Sequence, residues 1–168
     1  DQLRQRMAFA LSQIIVVSDS GALQGEEVAM AHYMDILGEN AFGNYRDLLE
    51  EVTYSYPMAR FLTYLGNAKA NANTGRMPDE NYAREIMQLF TIGLWKLNRD
   101  GTFMLDAAGR PMMTYTNDDI VTLSRVWTGF SLQDRRGNVE NYDGTSNGGR
   151  NYIDPMRLMP QWRDPFPK

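Results

Sequence analysis

Residues 80–93 read ENYAREIMQLFTIG, and this stretch decides the fold because its apolar residues recur at helical spacing. Asp79 precedes it and can cap a helix by accepting a backbone hydrogen bond. The sequence therefore predicts a long amphipathic helix over 79–93 that packs against a core. Its apolar face consists of Tyr82, Ile86, Leu89 and Phe90.

The opposite face of this helix carries a candidate polar site. At about 100° per residue, four polar side chains fall within one arc: Asn81, Arg84, Glu85 and Gln88. A later helix that begins near Thr116 offers two candidate partners, Asp119 and Arg125. The face is either solvated, with ion pairs of little worth, or it holds a buried junction or a ligand. We expect the second, because the apolar face alone is enough to bury the helix.

Four further helices are predicted on the N-terminal side of this stretch. Residues 2–17 and 26–37 both carry apolar side chains at helical spacing, and each run ends in turn-forming residues. Asn44 can cap a third helix, and Pro57 suits the first turn of a fourth, which Gly66 closes.

After the long helix the hydrophobic period changes. Turn signals flank residues 102–105 and 110–113, which predicts a small β-hairpin. Thr116 and Asp119 are spaced as a capping box for a helix that ends at Gly129. We detect no internal repeat.

The sequence thus predicts a mainly α protein: a helical bundle-like domain with one small β-hairpin and a loop-rich C-terminal tail. We assign residues 1–130 to the helical core segment, with the hairpin near 102–113, and residues 131–168 to the tail. Glycines and prolines are concentrated in the tail, which we expect to wrap the helical body or to contact the remainder of a larger parent protein.

Composition and charge exclude several functional classes. The chain has 168 residues and a net charge of −4, so it lacks the positive excess that binds phosphate backbones, and we expect no nucleic acid partner. No apolar run approaches the ~20 residues of a membrane span. With no cysteine and a single histidine, His32, we expect no metal and no cofactor.

Several motifs resemble a bacterial family known as domain of unknown function 1800. The motifs are PDENYAREIMQLFTIGL at 78–94, YTNDDI at 115–120 and SRVWTGF at 124–130. The opening LRQRMAFALSQ at 3–13 is also similar to family members, so the likeness covers about residues 3–130. Two residues depart from the family pattern, in which alanine stands in place of Ser124 and tryptophan in place of Phe130.

The resemblance implies an uncharacterised, exported protein of several hundred residues, of which this chain matches an internal segment. It implies a periplasmic or secreted location. Because members are often encoded beside a sulfatase-like protein, it also implies such a protein as a candidate partner. No established reaction comes with the family.

Two functions are compatible with these observations. The first is an extracytoplasmic binding or accessory domain that acts with a partner protein or a glycan, since no complete catalytic constellation is present. The alternative is a hydrolase-like enzyme with a site on the helix 79–94, where Glu80 or Glu85 is the general acid or base and Arg84 binds the substrate. The two carboxylates point about 140° apart on a helix, which favours the binding domain.

Overall fold

The computed structural model describes residues 1–137 and 150–165. The predicted fold class is confirmed, because the protein is mainly α, with 41% of the described residues helical. In chain order, the α-helices of the described residues are α1 Gln2–Ser12, α2 Glu27–Glu39, α3 Tyr45–Tyr54, α4 Tyr56–Phe61, α5 Asn81–Gln88 and α6 Asn117–Ser124. A 3₁₀ turn, Gly21–Leu23, lies between α1 and α2. A second 3₁₀ turn, Arg125–Trp127, and two short strands, β1 Phe130–Ser131 and β2 Arg157–Leu158, follow α6.

Side-chain caps start the helices close to where the sequence predicts them. Asn44 Oδ1 accepts a hydrogen bond of 2.8 Å from the backbone N–H two residues later, at the start of α3. Thr116 and Asp119 form the predicted capping box at the start of α6. Asp79 accepts a hydrogen bond of 2.9 Å from the N–H of Asn81, so α5 begins two residues after the predicted cap.

Helix α1 ends at Ser12, whereas the sequence predicts a helix to residue 17. Residues 14–17 are Ile-Ile-Val-Val, and β-branched side chains lose rotamer freedom in a helix. The chain turns instead, so that Ile15 is fully buried and its carbonyl accepts a hydrogen bond of 2.7 Å from the Tyr33 hydroxyl. Tertiary packing therefore outweighs the helical periodicity at this point.

Helix α5 is also shorter than predicted and ends at Gln88. The N–H of Gly93 donates a hydrogen bond of 2.9 Å to the carbonyl of Met87. The φ of Gly93 is 70°, a left-handed backbone conformation that suits glycine. Leu89, predicted on the apolar face, is 60% exposed, whereas Phe90 of the same predicted face is buried. Helix α6 likewise ends early, at Ser124, where the 3₁₀ turn begins.

Buried tyrosines join the helices. The Tyr64 hydroxyl donates to the carbonyl of Thr53 at 2.7 Å, and the Tyr82 hydroxyl shares a hydrogen bond of 2.6 Å with Thr53 Oγ1. The rings of Tyr64 and Tyr82 stack with their centroids 4.4 Å apart. Because these two buried hydroxyls are paired, their burial avoids the cost of unpaired polar groups. These contacts hold together α3, α5 and the segment that follows α4.

The described tail residues return to the helical body. Strands β1 and β2 pair antiparallel, with Phe130 opposite Leu158. Met156 is buried in the main core, and its N–H donates to the carbonyl of Tyr54 at 2.9 Å. The tail therefore lies against α3, while the predictions for residues 138–149 and 166–168 lie outside the described residues.

We predict that the protein loses stability as the pH rises above 10. Burial raises the pKa of Tyr33, Tyr64 and Tyr82 above the ordinary value of 10.0, and burial followed by the neighbouring Glu26 raises the pKa of Tyr56 to about 12. The unfolded state therefore releases these protons at lower pH than the folded state. The stabilisation is complete below pH 10, and it is lost progressively as the pH rises through about 12, the pKa of Tyr56, and beyond it for the other three tyrosines.

An alkaline titration checks this prediction by following tyrosinate absorbance together with far-ultraviolet circular dichroism. We expect the absorbance of these buried tyrosines to appear only as the helical signal is lost. Their ionisation near pH 10 with an unchanged helical signal would contradict the prediction.

Candidate functional site

The polar stripe on α5 is partly exposed to solvent. Arg84 Nη2 lies 3.2 Å from Glu80 Oε2, and the two side chains are 41% and 42% exposed. Asn81 Nδ2 donates to Thr63 Oγ1 at 2.8 Å. Thr63 has a φ of 64°, which is rare for a β-branched residue. The Arg84–Glu80 contact is thus an intrahelical pair of modest energy rather than a desolvated junction.

Two polar atoms near this stripe are buried without a hydrogen bond. They are Glu85 Oε2 and the Tyr115 hydroxyl, and neither has a partner among the described residues. Burial raises the pKa of Tyr115, the charge of Arg84 lowers it and the charge of Glu85 raises it. Gln88 is half-buried on the same helix. The charges of Arg84 and Glu85 therefore both act on the hydroxyl of Tyr115. The sequence did not single out Tyr115 as a site residue, because it stands there only as part of a motif.

Asp119 and Arg125 each have another role. Asp119 Oδ2 accepts hydrogen bonds of 2.8 Å from both the N–H and the hydroxyl of Thr116, which lower the pKa of its carboxyl group. Arg125 donates two hydrogen bonds, of 2.6 and 3.0 Å, to the carboxylate of Asp164, whose side chain is 7% exposed. Arg125 thus anchors the tail to the end of α6. Asp164 is 39 residues away in sequence, so no local pattern reveals the pair.

The two carboxylates of the hydrolase alternative lie in different surroundings, because Glu80 pairs with Arg84 whereas Glu85 Oε2 is buried without a hydrogen bond among the described residues. In the two described ranges, no group of three His, Cys, Asp or Glu side chains is placed to hold a metal ion.

Residues 94–114 form an arm between α5 and α6. The predicted hairpin is present, although its segments pair through isolated bridges and not as regular strands. A third segment, 94–98, was not predicted as strand, and it pairs with both halves of the hairpin. The bridges are Trp95–Met113, Leu97–Phe103 and Leu105–Pro111.

Backbone hydrogen bonds join the three segments of the arm into a closed ring. Lys96 donates to Met112, Met112 donates to Met104, and Met104 donates to Lys96, all at 2.9 Å. These residues are spaced by eight, and the turns between them end in Gly101 and Gly109, whose φ values are 82° and 75°. The arm therefore contains a short internal repeat, which corrects the expectation of none. The repeat is hard to see in the sequence because only two positions are identical between residues 95–102 and 103–110, namely Leu97 with Leu105 and Gly101 with Gly109.

Large apolar side chains cover the arm. Seven of them are between 38% and 56% exposed: Leu94, Trp95, Leu97, Phe103, Met104, Leu105 and Met113. None belongs to the hydrophobic clusters of the described body. Trp95 and Phe103 contact each other edge to face, with centroids 6.2 Å apart. Neighbouring exposed apolar groups of this size are typical of an interaction surface.

The fold and the arm define a mainly α domain with an exposed apolar β unit. The chain belongs to the family described as Protein of unknown function (DUF1800), which it matches over residues 1–167. The family resemblance of the sequence motifs is thereby confirmed. No curated protein and no solved structure matches the chain. Among the described helices, none has the length and apolar character that crossing a membrane requires.

We expect Arg125→Ala to destabilise the protein much more than Arg84→Ala. The first change removes the bidentate partner of a nearly buried carboxylate, that of Asp164. The second breaks a half-exposed pair and should cost about 0.5 kcal/mol or less.

Chemical denaturation of both variants measures the difference. Arg46→Ala is the surface control, because the Arg46 side chain is 82% exposed. Equal losses of unfolding free energy for Arg125→Ala and the control would contradict the prediction, because the pair with Asp164 would then stabilise the protein no more than an exposed side chain does.

Proposed function

We propose that this chain is a protein-binding domain and that the apolar arm is its contact surface. The observation that carries this proposal is the set of seven large, exposed side chains on the arm. A few large anchors, tryptophan above all, dominate the energy of protein interfaces once they enter pockets on a partner. Trp95 and Phe103, which already contact each other, are the central anchors of the proposed surface.

The turns of the arm are fixed by their own hydrogen bonds. Asp100 Oδ1 accepts hydrogen bonds from the hydroxyl and the N–H of Thr102, at 2.7 and 3.0 Å. Asp106 Oδ1 accepts one of 2.9 Å from the N–H of Arg110. These bonds lower the pKa of both carboxyl groups. A surface held in shape in this way loses less conformational entropy when it binds, which supports a recognition role.

The charges on the arm favour a protein partner over a membrane surface. Lys96, Arg99 and Arg110 are interspersed with Asp100 and Asp106, so the arm has charges of both signs. Segments that bind anionic membranes carry a clear basic excess next to their apolar face. The mostly aliphatic surface also favours a protein over a glycan, which needs more hydrogen-bonding groups.

The sulfatase-like protein implied by the family resemblance is the first partner that we propose for the arm. Its encounter with this domain would take place in the periplasm or outside the cell, the location that the resemblance implies. A signal peptide in the encoding gene would support that location, and retention of the protein in the cytosolic fraction would contradict it.

Site-specific photocrosslinking in cells that express this protein tests the proposed surface. Benzoylphenylalanine replaces Phe103 on the arm, and in a matched control it replaces Phe9, which lies on α1 and is 63% exposed. We expect a protein crosslink from position 103 that is absent from position 9. Crosslinks only to lipid, or only between copies of this chain, would contradict a separate protein partner.

The crosslinked protein, or the sulfatase-like protein itself, is then purified and its affinity for this domain measured by calorimetry. We expect Phe103→Asp to weaken binding at least about tenfold, the loss typical of an interface anchor. Phe9→Asp should change it by about twofold or less, since single exposed apolar residues are normal. Equal losses for the two variants would place the interface elsewhere.

A further inference from the structure

A groove with a volume of about 620 Å³ lies between α2, α3 and the returning tail. Volumes of about 300 to 1,000 Å³ are usual for ligand sites. No residue of the arm lines this groove, so an inference from it does not depend on the function proposed for the arm.

The floor of the groove is apolar and well fixed. Ile36 of α2 is 7% exposed, and Tyr54 of α3 is half-buried with its ring 5.4 Å from that of Phe130. The tail adds Ile153 and Pro155, and the next residue bonds to the carbonyl of Tyr54. The floor thus offers an aromatic ring and aliphatic groups that a ligand can cover.

The rim of the groove is strongly acidic. Four carboxylates line it, and no lysine or arginine does. They belong to Glu39, Asp47, Glu50 and Glu51. Arg46, outside the lining, lies 3.6 Å from Asp47 and 3.8 Å from Glu50, but its side chain is 82% exposed. Such a solvated pair is weak and leaves most of the negative potential in place.

The combination of an apolar floor and an acidic rim selects the chemistry of the occupant. A metal ion would need three converging ligands, and the described residues provide no such group. An anion would be repelled by the four carboxylates. A lysine or arginine side chain fits, because its methylene stem can cover apolar surface while its charged end reaches carboxylates. The ring of Tyr54 offers such a cation a further favourable contact.

We propose that this groove binds a segment of a partner protein that carries a lysine or arginine beside an apolar residue. The cationic end pairs with Glu50 and Glu51 at the rim, and the apolar neighbour covers Ile36 and Tyr54. A peptide fits better than a small free amine, because an amine alone would leave much of the floor uncovered.

The test uses the peptide acetyl-Ala-Leu-Lys-Leu-Ala-amide as the probe, titrated into the isotopically labelled chain and followed by nuclear magnetic resonance. A second peptide replaces the lysine with norleucine, which keeps the stem and removes the charge. We expect the lysine peptide to shift groove resonances, to bind at least about tenfold more tightly than the norleucine peptide, and to weaken with added salt.

The matched variants separate local recognition from net charge. Glu50→Gln with Glu51→Gln removes two rim charges, and Asp19→Asn with Asp118→Asn removes two exposed charges elsewhere. All four side chains are on the surface, so folding should be retained, and circular dichroism checks this. We expect about a tenfold loss of affinity for the first pair and about twofold or less for the second.

Three results would overturn the proposal. They are equal binding of the two peptides, equal losses for the two variant pairs, and butylamine binding as tightly as the peptide, which would identify a free amine as the occupant. Failure of the arm experiments would leave this result unchanged, because the arm and the groove share no residue.

Discussion

Thr53 is the residue on which the packing of the described body depends most directly. Its hydroxyl donates to the carbonyl of Leu49 and also bonds to Tyr82, while its own carbonyl accepts from Tyr64. Thr53, which is only 6% exposed, thus joins α3, α5 and the segment that follows α4. Water cannot replace these bonds in the core, so the three elements keep this arrangement or leave polar groups unpaired. α5 in turn fixes the point where the arm leaves the body.

The sequence could predict the helices because their signals are local. Apolar spacing located them, and the side chains of Asn44 and Thr116 cap helices as expected. The ends were less predictable, because at Ile15 the gain from burial outweighs continuation of the helix. The ring of the arm was missed for a related reason. Its closing hydrogen bond, from Lys96 to Met112, joins residues that are distant in sequence.

The candidate site shows the same limit. The ion pair between Glu80 and Arg84 is local, since residues four apart lie about one helical turn from each other. The partner of Arg125 could not be found in this way, because the tail brings Asp164 back from far along the chain. The exposed arm was missed because the apolar residues of a hairpin usually cover a buried face. Periodicity states which side chains share a face, and only the fold decides whether that face is covered.

The arm and the groove are held in place by different interactions. The ring of the arm is closed by hydrogen bonds among its own residues, and at its base Thr114 donates to Leu94 at 3.0 Å. The tail side of the groove depends on the bond from Met156 to Tyr54 and on the anchor between Arg125 and Asp164. Energetic coupling is weak between distant groups that share no partners. A change in the tail can therefore reshape the groove without altering the arm, so the affinities of the two proposed surfaces can be adjusted separately.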